Sequence, residues 1–153
     1  MIFRLIWVGK TRNAPLRDLT EDYLGRLKRF ARCEIVELRE SSQRVARLGS
    51  AEESKRIIGA LRQEACNILL DVTGQAWSSH ELAAQVGQWQ NESVREVAFI
   101  IGGADGVTDE VAARATARWS LSRLTLTHEM ARVVLLEQLY RAYTILHGLP
   151  YQK

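Results

Sequence analysis

Apolar positions along this chain alternate between short continuous runs and longer stretches in which they recur every three or four residues. Ile2–Val8, Glu34–Leu38, Ile68–Val72 and Val97–Ile101 have strand length and strand composition. Val97–Ile101 (VAFII) is apolar on both faces, as in a strand covered by helices on either side. Helical periodicity follows each run. Leu16, Leu19, Tyr23, Leu27 and Phe30 form one stripe behind the start signal Asn13 and Pro15. Ile57, Ile58 and Leu61 form a second, behind a capping box at Ser50 and Glu53. Leu82, Val86 and Trp89 form a third, behind a second box at Ser78 and Glu81, with His80 expected in solvent. A further helix follows the glycines at 102–106. Val133, Leu136, Tyr140 and then Tyr143 or Thr144 mark the last helix, which Gly148 and Pro150 stop.

The intervals are also informative. Thr73-Gly74 reads as a turn after the third strand. Residues 39–49 (RESSQRVARLG) have no period and read as a long loop. The tail after Gly148 is expected to be disordered by default. Strands alternating with helices at this spacing predict an α/β protein: a mainly parallel sheet flanked by helices, in a single domain over residues 1–153.

Composition narrows the class. The chain is 46% hydrophobic and 25% charged, ordinary globular values. Cys33 and Cys66 form no CxxC and have no His pair beside them, so reduced thiols are expected and no metal site. No secretory leader pattern opens the chain and no run approaches a membrane span, so a cytoplasmic protein is expected. A net charge of +3 with a pI of about 9.1 permits a nucleic-acid partner without requiring one. Arginine greatly outnumbers lysine, which suits bidentate phosphate contacts and equally reflects genome composition. The charged face of the first helix, with Arg17, Asp18, Arg26, Lys28 and Arg29, is read first as solvated and second as facing RNA.

The chemistry concentrates between Val97 and Tyr143. A buried strand ends in Gly102-Gly103, with Gly106 three residues on, and glycine lets backbone approach a ligand. Open α/β sheets bind ligands where strands end in such turns. A second apolar loop follows, Leu121–Leu126, and then a helix carrying Glu137, Gln138, Tyr140 and Arg141. The glycines do not spell GxGxxG, and neither GxxxxGK[ST] nor GxSxG occurs.

With IGGADG, WSLSRLTLTHEMAR, EQLYRAY and the terminal PYQK in this order, the chain resembles the ribosomal RNA large subunit methyltransferase H family of the SPOUT superfamily, over its whole length. The resemblance implies a C-terminal deep trefoil knot, a homodimer with the site at its interface, and S-adenosylmethionine as methyl donor without a metal. It implies N3 of a pseudouridine in large-subunit rRNA as acceptor, on the assembled ribosome. Residue by residue, it carries the donor site onto Leu70, Gly102 and the loop Leu121, Ser122, Arg123, Leu124, Thr125 and Leu126. It carries the acceptor side onto His128, Arg132, Tyr140, Arg141 and Tyr151. Three positions depart from the family pattern: Thr127 and Glu129 stand where proline usually flanks the histidine, and Gln152 stands where a histidine usually follows the tyrosine.

The reaction sets its own requirements. A sulfonium methyl group is already activated, so the enzyme must align donor and acceptor and help an imide N–H lose its proton. Glycine backbone and an apolar loop can hold an adenine by main-chain hydrogen bonds and packing. Tyr140 and Arg141 read either as site residues or as a helix contact beside a surface ion pair, and His128 either as a site residue or a structural histidine. A noncatalytic ribosome-binding factor that kept the fold is the alternative from another class, and a nucleotide-binding module is a third.

Overall fold

The computed structural model describes residues 1–151. Five strands alternate with five helices: β1 (Ile2–Val8), α1 (Ala14–Leu27), β2 (Arg32–Leu38), α2 (Ala46–Ala60), β3 (Cys66–Ala76), α3 (Ser79–Asn91), β4 (Glu96–Ile101), α4 (Asp109–Ala113), β5 (Ala117–Ser120) and α5 (His128–Leu146). The strands form one sheet in the order β2-β1-β4-β3-β5, with every pairing parallel. Leu5, for example, lies between Ile35 and Phe99.

The period of two along the strands divides the core between two faces. Phe3, Leu5, Trp7, Val97, Phe99 and Ile101 face α1, α3 and α5, where they meet Leu27, Val86, Trp89, Leu135, Leu136 and Leu139. Val8, Leu69 and Ile100 face the other way, against Ile57 of α2 and Val111 of α4. All of β4 is buried, so its residues are apolar on both faces apart from Glu96, which pairs with the buried Arg4 at 3.3 Å and with Arg62. Among the described residues no helix is long and apolar enough to cross a membrane.

Local signals hold where their partners are local. The Asn13 side chain accepts the Leu16 amide at 3.1 Å and starts α1, and the Ser78–Glu81 capping box is formed in full. His80 is exposed. Gly148, at φ +63°, closes α5: its amide donates to the Ile145 carbonyl and that of Leu149 to the Thr144 carbonyl.

Several expectations need correction. The helix α2 begins at Ala46, inside the expected loop, and Ser50 and Glu53 do not cap it. The Ser50 hydroxyl donates instead to the Gly106 carbonyl at 3.3 Å, and the Glu53 carboxylate accepts the Ser41 amide at 2.9 Å. The third strand does not end at Thr73-Gly74. β3 shifts register between Leu70 and Gln75 and continues to Ala76 along β5, a short strand the apolar pattern did not mark. Gly74 is required there, because a Cβ would lie 2.6 Å from the Arg118 carbonyl carbon. Leu19 points to solvent and Thr20 inward, since the Thr20 hydroxyl satisfies itself on the Leu16 carbonyl at 2.7 Å. The tail as far as Tyr151 folds back onto α5, while Gln152 lies outside the described residues.

Candidate active site

The carboxyl ends of β3, β4 and β5 open into a cavity of about 540 Å³. Leu70, Asp71 and Val72 line it from β3, and Ile101, Gly103 and Ala104 from the end of β4 and the turn after it. Leu121, Ser122 and Leu124, with Thr125 to His128 and Ala131, line it from the segment leading into α5. This is the crevice that the parallel sheet predicts for a ligand.

Each wall is stiffened by its own short-range bonds. On the β4 side, the Gly106 amide donates to the Gly103 carbonyl at 3.1 Å, with Gly106 at φ +76°. The Ser54 hydroxyl, almost fully buried on α2, accepts the Thr108 amide at 2.9 Å and anchors the far end of this glycine turn. On the β5 side, the Ser120 hydroxyl donates to the Ser122 carbonyl at 2.8 Å and the Ser122 hydroxyl accepts the Leu124 amide at 3.0 Å. On the β3 side, Asp71 accepts both the amide and the hydroxyl of Thr73 at 2.9 Å and lies 3.8 Å from Arg118.

The expected donor residues divide. Leu70, Leu121, Ser122, Leu124, Thr125 and Leu126 all line the cavity, whereas Gly102 and Arg123 do not. Arg123 is exposed. Gly102 turns its hydrogen toward the rear of the glycine turn, where a Cβ would lie 2.8 Å from Val107 Cγ1. The family resemblance carries the donor site onto Gly102; its neighbours Gly103 and Ala104 are the ones at the wall. Asp71 was also missed, although it is the lone charge in the ILLDV run.

Of the expected acceptor residues, only His128 borders the cavity. Thr127 caps α5, its hydroxyl accepting the Met130 amide at 3.3 Å. Glu129 accepts the backbone amides of Arg12 and, at 3.2 Å, Asn13. Those backbone bonds, led by Arg12, hold its carboxyl below the usual carboxylate range. Thr127 and Glu129 therefore both fix the start of α5 by hydrogen bonds.

Arg132 is fully buried beneath the surface. It donates to the Val8 carbonyl at 2.6 Å and the Thr11 hydroxyl at 2.8 Å. Burial lowers its pKa, against the attraction of Glu129, Glu37 and Glu40. Tyr140, Arg141 and Tyr151 form a separate cluster farther along α5. The Tyr151 ring meets Tyr140 edge-on at 4.8 Å, and the Arg141 guanidinium lies 4.7 Å from the Tyr151 centroid. Tyr140 stands twelve residues beyond His128 on α5, a rise of about 18 Å. One chain does not bring this cluster to its own cavity.

A family described as "Predicted SPOUT methyltransferase" matches residues 1–152. The chain belongs to the SPOUT methyltransferase family. It is 44% identical to a Geobacter metallireducens protein named ribosomal RNA large subunit methyltransferase H, over 99% of this chain and 98% of that one. Proteins of the same name from Geobacter sulfurreducens and Sorangium cellulosum are 42% and 41% identical, over 99% and 94% of this chain and the same shares of theirs. A solved structure of a putative methyltransferase from Legionella pneumophila, with S-adenosylmethionine bound, overlays with a TM-score of 0.49 at 16% identity, covering 93% of this chain and 66% of that one. That overlay is too loose to compare residues.

SPOUT membership makes this protein an enzyme that takes its methyl group from S-adenosylmethionine. The cavity fits such a donor: its volume lies within the usual ligand range, and Leu70, Ile101, Leu121, Leu124 and Leu126 supply apolar walls. Asp71 offers the charged acceptor that an ammonium or a ribose hydroxyl would use. The bound donor supplies an activated sulfonium methyl group. Among the described residues no group of three or more His, Cys, Asp or Glu is placed to hold a metal.

Proposed function

We propose that this protein methylates N3 of a pseudouridine in large-subunit ribosomal RNA, on the assembled ribosome in the cytoplasm. The near full-length identity to relatives named ribosomal RNA large subunit methyltransferase H supports the RNA class. The observation that carries the reading is the apolar cavity at the ends of β3, β4 and β5, closed by residues 121–128. The C-terminal part of the chain, from β3 through α5, is threaded as a trefoil knot, so that three loops meet around one donor.

The chain works as a homodimer. Its cavity carries His128, while Tyr140 and Arg141, with Tyr151 of the tail folded against them, lie too far along α5 to serve that cavity. A two-fold partner brings the cluster of one copy to the cavity of the other, the commonest symmetry for small oligomers. Val133 and Leu136 are buried within their own chain and so are not free to form a dimer surface. The exposed Leu124 and Met130, near the cavity mouth and at the start of α5, are the apolar residues available to it.

The residues divide the chemistry between them. Leu70, Leu121 and Leu126 bury the donor's base, Gly103 and Ala104 give it backbone, and Tyr140, Arg141 and Tyr151 hold and orient the acceptor base. Nucleoside mass spectrometry of large-subunit rRNA treated with protein and deuterated donor tests the assignment. Label on N3 of a pseudouridine is expected; label confined to another nucleoside contradicts it.

A further inference from the structure

Glu137 occupies the centre of the polar cluster on the second half of α5. Its Oε1 accepts the Tyr151 hydroxyl at 3.0 Å, and Arg141 Nε and Nη2 at 3.0 and 2.7 Å. Its Oε2 accepts Gln138 Nε2 at 2.6 Å, and Gln138 in turn accepts the Ser79 hydroxyl of α3 at 2.7 Å. The carboxylate is held on several sides and only 16% exposed. An ion pair with Arg141 would by itself explain none of the tail's geometry. The tail returns so that a phenol hydroxyl donates to this carboxylate, with the Tyr23 hydroxyl 3.4 Å from that of Tyr151.

We propose that Glu137 is the final proton acceptor of methyl transfer, taking the proton of the acceptor N–H through the hydroxyl of Tyr151. The proposal rests on the reading above, in which Tyr151 meets the acceptor base. The step balances. As nitrogen bonds to the donor's methyl carbon, the sulfur–carbon pair returns to sulfur and leaves a neutral thioether. The N–H proton passes to Tyr151 Oη while the phenol proton passes to Glu137 Oε1. One positive charge and one negative charge disappear together.

The surroundings suit this division. Burial, then the hydrogen bonds with Tyr23 and Glu137, raise the Tyr151 pKa, so the phenol stays neutral and cannot act as a standing base. It can accept a proton only while giving one up, and Glu137 is the carboxylate bonded to it. Arg141 remains a cation, its pKa raised first by Glu137. On the α1 side the groups facing the cluster are Tyr23 and Arg26; Arg26 is paired with Asp22 at 3.0 Å and lies over the Tyr23 and Tyr140 rings. Methylation makes the N–H steadily more acidic, so a carboxylate is a strong enough base once the new bond is forming.

Single-turnover methyl transfer to ribosomes at saturating donor, measured from neutral to alkaline pH, tests the relay. Glu137→Gln keeps an oxygen for Tyr151 and Arg141 but cannot take the proton. It is expected to slow transfer at neutral pH by about 10²-fold, the lower end for a lost general base. The deficit should shrink as rising pH ionises the acceptor unaided, with donor affinity by calorimetry unchanged. Tyr151→Phe, which leaves the carboxylate in place, must show the same pH-dependent deficit. Glu137→Asp, which keeps a proton acceptor, should recover part of the rate. An active wild type with an equally active Glu137→Gln, or a deficit constant across pH, overturns the relay alone. A wild type that transfers no methyl group overturns both the relay and the reading beneath it.

Discussion

The guanidinium of Arg132 lies over the indole of Trp7, its central carbon 5.0 Å from the ring centroid. One of its nitrogens bonds the last carbonyl of β1 and another bonds Thr11 in the loop beyond. Arg132 therefore ties α5 to the end of β1 from inside the fold. Arg132→Met should destabilise the protein by about 2–4 kcal/mol, through a lost charge-assisted bond and an orphaned Val8 carbonyl. Urea unfolding checks this. An unchanged midpoint with lost methyl transfer would return Arg132 to the acceptor side.

The glycine turn depends on α2. Ser54→Ala leaves the Thr108 amide without its acceptor in a buried setting, at a cost of about 1–3 kcal/mol. Because the same turn carries Gly103 and Ala104 to the cavity wall, donor affinity should fall as well. Calorimetry with S-adenosylmethionine measures it, and Ser54→Thr, which keeps the hydroxyl, should bind nearly as the wild type does.

Gly102→Val acts from behind the cavity. The new Cβ would meet Val107 and the Gly106 carbonyl, forcing the turn to shift at a cost of about 1–3 kcal/mol. Donor binding should weaken together with stability. A variant that binds normally and unfolds normally would show that the turn tolerates the displacement.

These positions show how far the sequence could be read. The Ser78–Glu81 box is formed because its partners lie within one turn of α3, while the same spelling at Ser50 and Glu53 fails because those side chains are claimed by Gly106 and Ser41, distant in the chain. The parallel sheet follows from alternation, but the neighbours of β3 do not, and they decide that Asp71, Gly103 and Thr127 share one cavity. Family resemblance marked the Leu121–Leu126 loop, most of which lines that cavity. It could not reveal that Arg132 is enclosed by Trp7 and Val8, since that needs the packing of α5 against β1.

Glu129 makes stability depend on pH. Its folded pKa is depressed, chiefly by the Arg12 amide, so its contribution is complete above the unfolded value of about 4.3 and is lost as pH falls through the folded value. Glu129 is half-buried at the protein surface, where solvent screens its charge, and the effect is correspondingly small. Wild type should lose stability more steeply than Glu129→Gln over that acid window, as followed by urea midpoints at successive pH values. Parallel curves would show that the carboxylate contributes nothing through its charge.

The tail offers a separation of functions. Tyr151 meets the Tyr140 ring edge-on and lies against the Arg141 guanidinium, remote from the cavity of its own chain. Deleting residues 151–153 should leave donor binding intact and nearly abolish methyl transfer. Loss of base stacking alone, worth about 1–3 kcal/mol, slows turnover at limiting ribosome about 5- to 150-fold. A truncated protein with full activity would remove the tail from the acceptor side.

The central claim is methylation of large-subunit rRNA within the ribosome. Tritiated methyl transfer from S-adenosylmethionine to ribosomes purified from cells lacking this protein, beside naked rRNA from the same cells, measures it directly. The account predicts label in the large-subunit rRNA of intact ribosomes and little in the naked RNA, with the rate falling as salt screens phosphate contacts. Donor bound normally but no label in ribosomal RNA under any condition would contradict it.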